Sequence, residues 1–198
     1  MAKRTAELQR FLDAADASYA HLVTLPKARE AISTIFRALQ TPAPLRDGPG
    51  DRLPTCQFLE EALSYAESAT TLRTLCKCFR DVEPQLRWRR RTNNDSSASD
   101  NFPENHANAL ICGPGGLEER SDVWVGVSLL APHVRYPNHR HQPEEVYLFL
   151  SEGEFLHGDT AWFTPGLGAT PYNPSNIVHA MRSGDQPLLA LWVLNARP

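Results

Sequence analysis

Residues 136–147, YPNHRHQPEEVY, gather two histidines, two glutamates and two tyrosines in a chain with only 7 His and 5 Tyr. His139, His141, Glu145 and Tyr147 are all odd-numbered. On a strand, alternate side chains share a face, so pairing that starts near 139 would aim all four to one side. Two imidazoles and a carboxylate in one pocket make a nitrogen and oxygen site for a divalent first-row metal. A fourth ligand must come from elsewhere, and the best candidate is His179 in NPSNIVHAMRS, after a turn-rich stretch. Glu144 is out of phase with Glu145 and reads as a rim carboxylate. His133, beside Pro132, reads as a loop residue. His21, His106 and His157 have no partners at useful spacing and read as surface or helix-face histidines.

Two kinds of element must position these groups. The first 90 residues read as helical. TAELQRFLDAADASYAHLV sets Leu8, Phe11, Leu12, Ala15 and Tyr19 on one stripe, and LPKAREAISTIFRALQ does the same with Ala28, Ile32, Ile35, Phe36 and Leu39. Pro26 suits the first turn of the second helix, where no amide bond is lost. Four prolines and two glycines in TPAPLRDGPGDRLP predict a loop, and a third helical run, open to division in two, extends to about residue 80. RWRRR at 87–91 reads as a solvated or acid-paired helix end. RTNNDSSASDNFPEN (91–105) has almost no apolar residues and reads as a linker or exposed loop. From 106 to 198 the texture changes to short β-rich runs broken by Gly and Pro, which suggests a small barrel or double-sheet roll. The expected fold is therefore α+β: a helical N-terminal region, 1–90, packed on a C-terminal β-barrel, 106–198, as one compact unit.

Composition bounds the function. At 198 residues, 41% hydrophobic and 22% charged, with a formal net charge of −3, the chain has an ordinary globular balance and no electrostatic reason to bind nucleic acid. No stretch approaches the ~18 apolar residues of a membrane span. The N-terminus mixes charges without an apolar run, so no leader is expected. Cys56, Cys76, Cys78 and Cys112 are too few and scattered for a disulfide framework and read as reduced thiols of a cytoplasmic protein.

The spacing His-x-His-x3-Glu, followed by Gly168, Pro174, Asn176 and His179, resembles the two motifs of the cupin superfamily over about residues 120–195. That resemblance implies a jelly-roll barrel in which His139, His141, Glu145 and His179 bind one metal. Two turns depart from the common pattern. The glycine after the glutamate is Gly153, one residue late, and the usual glycine and trailing asparagine of the second motif are Asn176 and Ser183. The metal's identity stays open among Zn, Fe, Mn, Ni and Co.

With its tyrosines included, the segment is similar to the bacterial cupin lyases of dimethylsulfoniopropionate (DMSP), of the DddQ type, which also precede the barrel with helices. This resemblance implies cleavage of DMSP to dimethyl sulfide and acrylate. It makes Tyr147 the base that takes the α-proton and Tyr136 a second pocket tyrosine that assists binding or catalysis. A metal on the substrate carboxylate would stabilise the charge growing there and would favour the phenolate of Tyr147. The cationic sulfonium calls for an aromatic wall, for which Tyr136, Trp162, Trp192 and Phe149 are candidates, although Trp124, Trp162 and Trp192 read most simply as barrel core. The rivals are another metal-dependent cupin enzyme, an isomerase or dioxygenase of a small carboxylate, and a non-catalytic ligand-binding cupin. The expected partner is a small-molecule substrate. The oligomeric state is open, and a homodimer is one option, since the exposed faces of such rolls often pair.

Overall fold

The computed structural model describes residues 3–92 and 95–197. Helices α1 (Ala6–Leu22), α2 (Pro26–Leu39), α3 (Leu59–Ser68) and α4 (Thr70–Val82) are followed by seven strands. These are β1 (His106–Cys112), β2 (Val123–Leu130), β3 (Glu144–Phe149), β4 (Glu154–His157), β5 (Tyr172–Asn173), β6 (His179–Arg182) and β7 (Leu188–Asn195). One antiparallel sheet runs β1-β2-β7-β3-β5 and a second pairs β4 with β6. The expected α+β arrangement of helices on a cupin-type barrel is what the chain adopts.

Local chemistry explains the helices. Thr5 caps α1, its side chain accepting from the Leu8 amide at 3.2 Å, and Pro26 opens α2. The stripe residues Leu8, Phe11, Leu12, Ala15 and Tyr19 are all buried. The third run does break in two, at Ala69, which is extended between α3 and α4.

The main sheet divides its side chains between two cores. Val125 and Val127 of β2, Val146 and Leu148 of β3, and Leu191 and Val193 of β7 face the helices. Tyr147, Phe149 and Ala190 face the barrel interior. Tyr19 pins the two layers together, its buried hydroxyl donating to the Val146 carbonyl at 3.1 Å and standing 3.4 Å from that of Leu191. Because β3 is sandwiched, its alternation sends Glu145 and Tyr147 inward on one phase.

Two expectations need correction and a third needs narrowing. RWRRR is not a helix end. It is extended chain bridging to Asp51 and to Asn108 of β1, with Trp88 fully buried and its indole N–H donating to Glu83. Trp88 supplies the apolar surface that holds the arginines on either side of it against the barrel. The segment 91–105 is the loop of the two alternatives expected, but a loop tied to the barrel. Residues 93 and 94 of it lie outside the described residues, but Phe102 is fully buried, and the Ser97 and Ser99 hydroxyls accept from the Asn138 and Arg135 amides. Finally, His106 is no surface histidine: it is fully buried on β1, stacked on Phe102.

Candidate active site

His139 and His141 do not share a continuous strand with Glu145, as the odd-numbered phase suggested. His139 makes an isolated antiparallel bridge to His179, and β3 starts only at Glu144, after Gln142 and Pro143. The three imidazoles converge all the same, with ligand atoms all within 4.8 Å of one another. The His139 and His179 rings are 4.0 Å apart between centroids. The turn that delivers His179 is built around Asn176, whose φ is 61°. Asparagine tolerates this left-handed region better than most residues, so the missing glycine of the second motif is accommodated. Ser183 takes up the other departure by donating to the Ala131 carbonyl at 2.6 Å and accepting from the Val134 amide at 2.9 Å.

Each histidine is held by its own backbone neighbourhood. The Nδ1 atoms of His139, His141 and His179 lie 3.0, 2.7 and 3.1 Å from the carbonyls of Pro137, Pro143 and Ile177. A carbonyl can only accept, so the proton of each neutral ring sits on Nδ1 and Nε2 is left with a lone pair. Three such lone pairs meet beside Glu145, whose Oε2 is 3.3 Å from His141 Nε2 and 3.2 Å from His179 Nε2. The same oxygen accepts from Asn173 Nδ2 at 2.9 Å. His179 Nε2 is buried without a hydrogen-bond partner among the described residues. Acceptors facing one another in a buried pocket fit a cation between them, and a carbonyl on the far side of each imidazole is the usual support of a metal-binding histidine. The residues present therefore fit a divalent metal.

Electrostatics follow from burial and crowding. Burial and the neighbouring His179 push His139 down to about 3. Burial opposes protonation of His141, but the Glu145 carboxylate outweighs it and raises its pKa. Burial would raise Glu145, yet the His141 and His179 imidazoles crowded against its carboxylate outweigh that and bring it down to about 2. Tyr147 is pushed well above 10, first by burial and then by the charge of Glu145.

The cluster opens into a cavity of about 510 Å³. Tyr136, Tyr147 and Trp192 line it together with His139, His141 and Glu145. The Tyr136 ring is 5.0 Å from that of His139, and the Tyr147 ring 6.0 Å from that of His179. Two of the expected wall residues are elsewhere. Phe149 is fully buried in the inner core against Phe155, and Trp162 lies against two guanidiniums, Arg135 at 5.2 Å and Arg182 at 4.4 Å. Trp162 thus spends its π-face on protein cations. Trp124, expected in the core, instead lines the cavity. So do the unforeseen Asn108, Ser128 and Arg91; the one signal for Arg91 is that 87, 89 and 91 alternate with the buried Trp88.

Comparison with known proteins agrees with this architecture. A family model described as dimethylsulfoniopropionate lyase matches residues 27–190. The DMSP lyase DddQ of Ruegeria pomeroyi is 31% identical over 168 residues, covering 83% of this chain and 81% of that protein. A crystal structure from a study of the DMSP lyases RdDddP and RnDddQII superposes with a TM-score of 0.72 at 25% identity, covering 96% of this chain and 92% of the other. The crystal structure of the R. pomeroyi DddQ gives a TM-score of 0.68 at 24% identity, with 97% and 92% covered, and speaks to the fold.

Proposed function

As the chain belongs to the dimethylsulfoniopropionate lyase family, a family of carbon–sulfur lyases, we propose that it cleaves DMSP to dimethyl sulfide and acrylate by metal-dependent β-elimination. The observation that carries this reading is the convergence of three Nε2 lone pairs and Glu145 on the cavity that also holds Tyr136 and Tyr147. His139, His141, His179 and Glu145 would hold one divalent metal. Bound there, it would supply Lewis acidity at the substrate carboxylate and a positive charge that favours the neighbouring phenolate.

The chain's own residues supply the rest. Tyr147 is the base. It lies two residues beyond Glu145 on β3, so its phenol shares the inward phase, and it is buried. Burial and the Glu145 charge hold that phenol protonated until a cation offsets them, which ties its basicity to a loaded site. Tyr147 takes the proton from the carbon next to the carboxylate. The electrons of that C–H bond become the new C=C bond, and the Cβ–S pair leaves with sulfur as neutral dimethyl sulfide. Acrylate remains, and the proton on Tyr147 returns to water. Tyr136 binds the substrate from the opposite end of the cluster, beside His139. The Trp192 and Trp124 rings offer faces for the sulfonium, in place of Trp162 and Phe149.

The direct test is headspace measurement of dimethyl sulfide from purified, metal-loaded protein given DMSP. Release with matching acrylate is expected. No release above the spontaneous rate, at full metal content, would defeat the proposal.

A further inference from the structure

A string of hydrogen bonds crosses the cavity wall from Trp192 to Tyr136, each link donating toward the phenol. The Trp192 indole N–H can only donate, and Ser128 Oγ accepts it at 3.0 Å. Ser128 Oγ in turn donates to Asn108 Oδ1, 2.6 Å away. That turns the Asn108 amide nitrogen toward Tyr136, whose hydroxyl oxygen accepts from it at 3.3 Å. The phenol proton is left to be donated to something else. Tyr147 takes no part in this string, so the two tyrosines are set up differently.

Arg91 reaches the same phenol. Its guanidinium carbon is 5.5 Å from the centre of the Tyr136 ring, and it lines the cavity. The backbone beneath it is fixed, because its amide N–H donates to His106 Nε2 at 2.7 Å while His106 Nδ1 is 2.5 Å from the Phe102 carbonyl. Other arginines of this wall place most of their donors on protein acceptors, although Arg46 Nε is also buried without a partner among the described residues. Arg46 donates to the carbonyls of residues 47, 48, 49 and 85, Arg87 to those of Asp47 and Pro49, and Arg89 pairs with Asp51. The Nε of Arg91 is buried with no hydrogen-bond partner among the described residues. Arg91 as a whole is half-buried, but a buried N–H without an acceptor is costly, and a ligand that brings the acceptor relieves the cost.

We propose that Arg91 and Tyr136 form a carboxylate-binding pair, the guanidinium and the phenol proton together receiving the substrate's carboxylate group. Asn108, Ser128 and Trp192 are positioning residues that keep the phenol in its donating sense. The ligand class is a small monocarboxylate, which covers both DMSP and the acrylate product. The pair rests on the lyase reading of the cavity and adds to it the group that orients the substrate. As the α-proton leaves, charge flows into the carboxylate, so these donors bind the transition state more tightly than the ground state.

The test compares propionate with its neutral isostere propionamide as ligands of the metal-loaded protein, by calorimetry and by inhibition of dimethyl sulfide release. Arg91→Gln is expected to weaken propionate about 10- to 100-fold, the range for a charge-assisted bond, and to leave propionamide binding and metal content unchanged. Arg91→Lys should fall between, since it keeps the charge without the planar fork. Ser128→Ala frees the Asn108 amide to turn and should weaken propionate several-fold, with a rise in KM for DMSP. Equal propionate affinity in Arg91→Gln and wild type would overturn the pair. So would an equal loss for propionate and propionamide, which is what a merely structural role produces. Propionate binding that depends on Arg91 in a protein inert toward DMSP would uphold the pair and defeat the lyase reading instead.

Discussion

His179 Nε2 faces Glu145 Oε2 at 3.2 Å, while the other nitrogen of the same ring lies 3.1 Å from the Ile177 carbonyl. With its proton held at Nδ1, the imidazole meets the carboxylate as acceptor against acceptor, and a cation resolves the conflict. One divalent metal per chain is therefore expected, measured by elemental analysis. His141→Ala or His179→Ala should lose most of it, and unchanged content in both would remove the site. Cys76→Ser with Cys78→Ser should keep full occupancy. Both thiols are buried, and burial pushes that of Cys76 up to about 12, far from the thiolate a metal requires.

Acid should destabilise the metal-free protein. His139 titrates at about 3 when folded against an ordinary 6.5, so between those values the unfolded chain takes up a proton the folded chain refuses. Stability then falls as pH falls through that window. Glu145 acts in the same sense lower down. Its contribution is present above the ordinary 4.5 and is lost as pH drops toward about 2. His141, raised above 6.5, works oppositely and loses its contribution as pH rises through its folded value. A melting temperature that drops steadily from pH 7 to pH 4 is expected. A flat profile would contradict the neutral state of the half-buried His139.

Gly126 is the contact that lets Trp192 form the cavity wall. The two are register partners, and a Cβ on Gly126 would come within 2.3 Å of the indole and 2.9 Å of the Ala109 carbonyl. Gly126→Ala should displace the ring, break its bond to Ser128, and raise KM for DMSP while leaving metal content intact. Crystals of the variant with the indole unmoved would refute the steric argument.

Tyr19 joins the helices to the barrel through one phenol. Tyr19→Phe keeps the buried ring and removes the donor to the Val146 carbonyl. A loss of about 1 kcal/mol in urea unfolding is expected, the usual value of a single hydrogen bond, with metal content unchanged. Wild-type stability would show that the bond contributes nothing net.

What was legible in the sequence is what repeats locally. The α1 stripe and the inward phase of Glu145 and Tyr147 follow from the periods of helix and strand, and His179 followed from a motif. The strand phase alone does not account for His139 and His141 lying beside Glu145, since carbonyl anchoring and the bridge to His179 aim them, across the break at Pro143. Trp162 and Phe149 were misplaced because an aromatic's partners are set by strands far away in sequence. Arg91 and Asn108 were missed for a related cause. Their roles exist only because 87–91 lies along β1, and β2 beside β7, which no local pattern announces.

The base is tested most directly by acrylate or dimethyl sulfide release from Tyr147→Phe compared with wild type at equal metal content. The substitution removes one oxygen from a buried ring, so fold and metal should survive. A loss of ~10² to 10⁴ is expected, carried by kcat far more than by KM, because the proton is taken only on the way to the transition state. Activity within a few-fold of wild type would mean that the proton is taken by another group, and Tyr147 would no longer be the base.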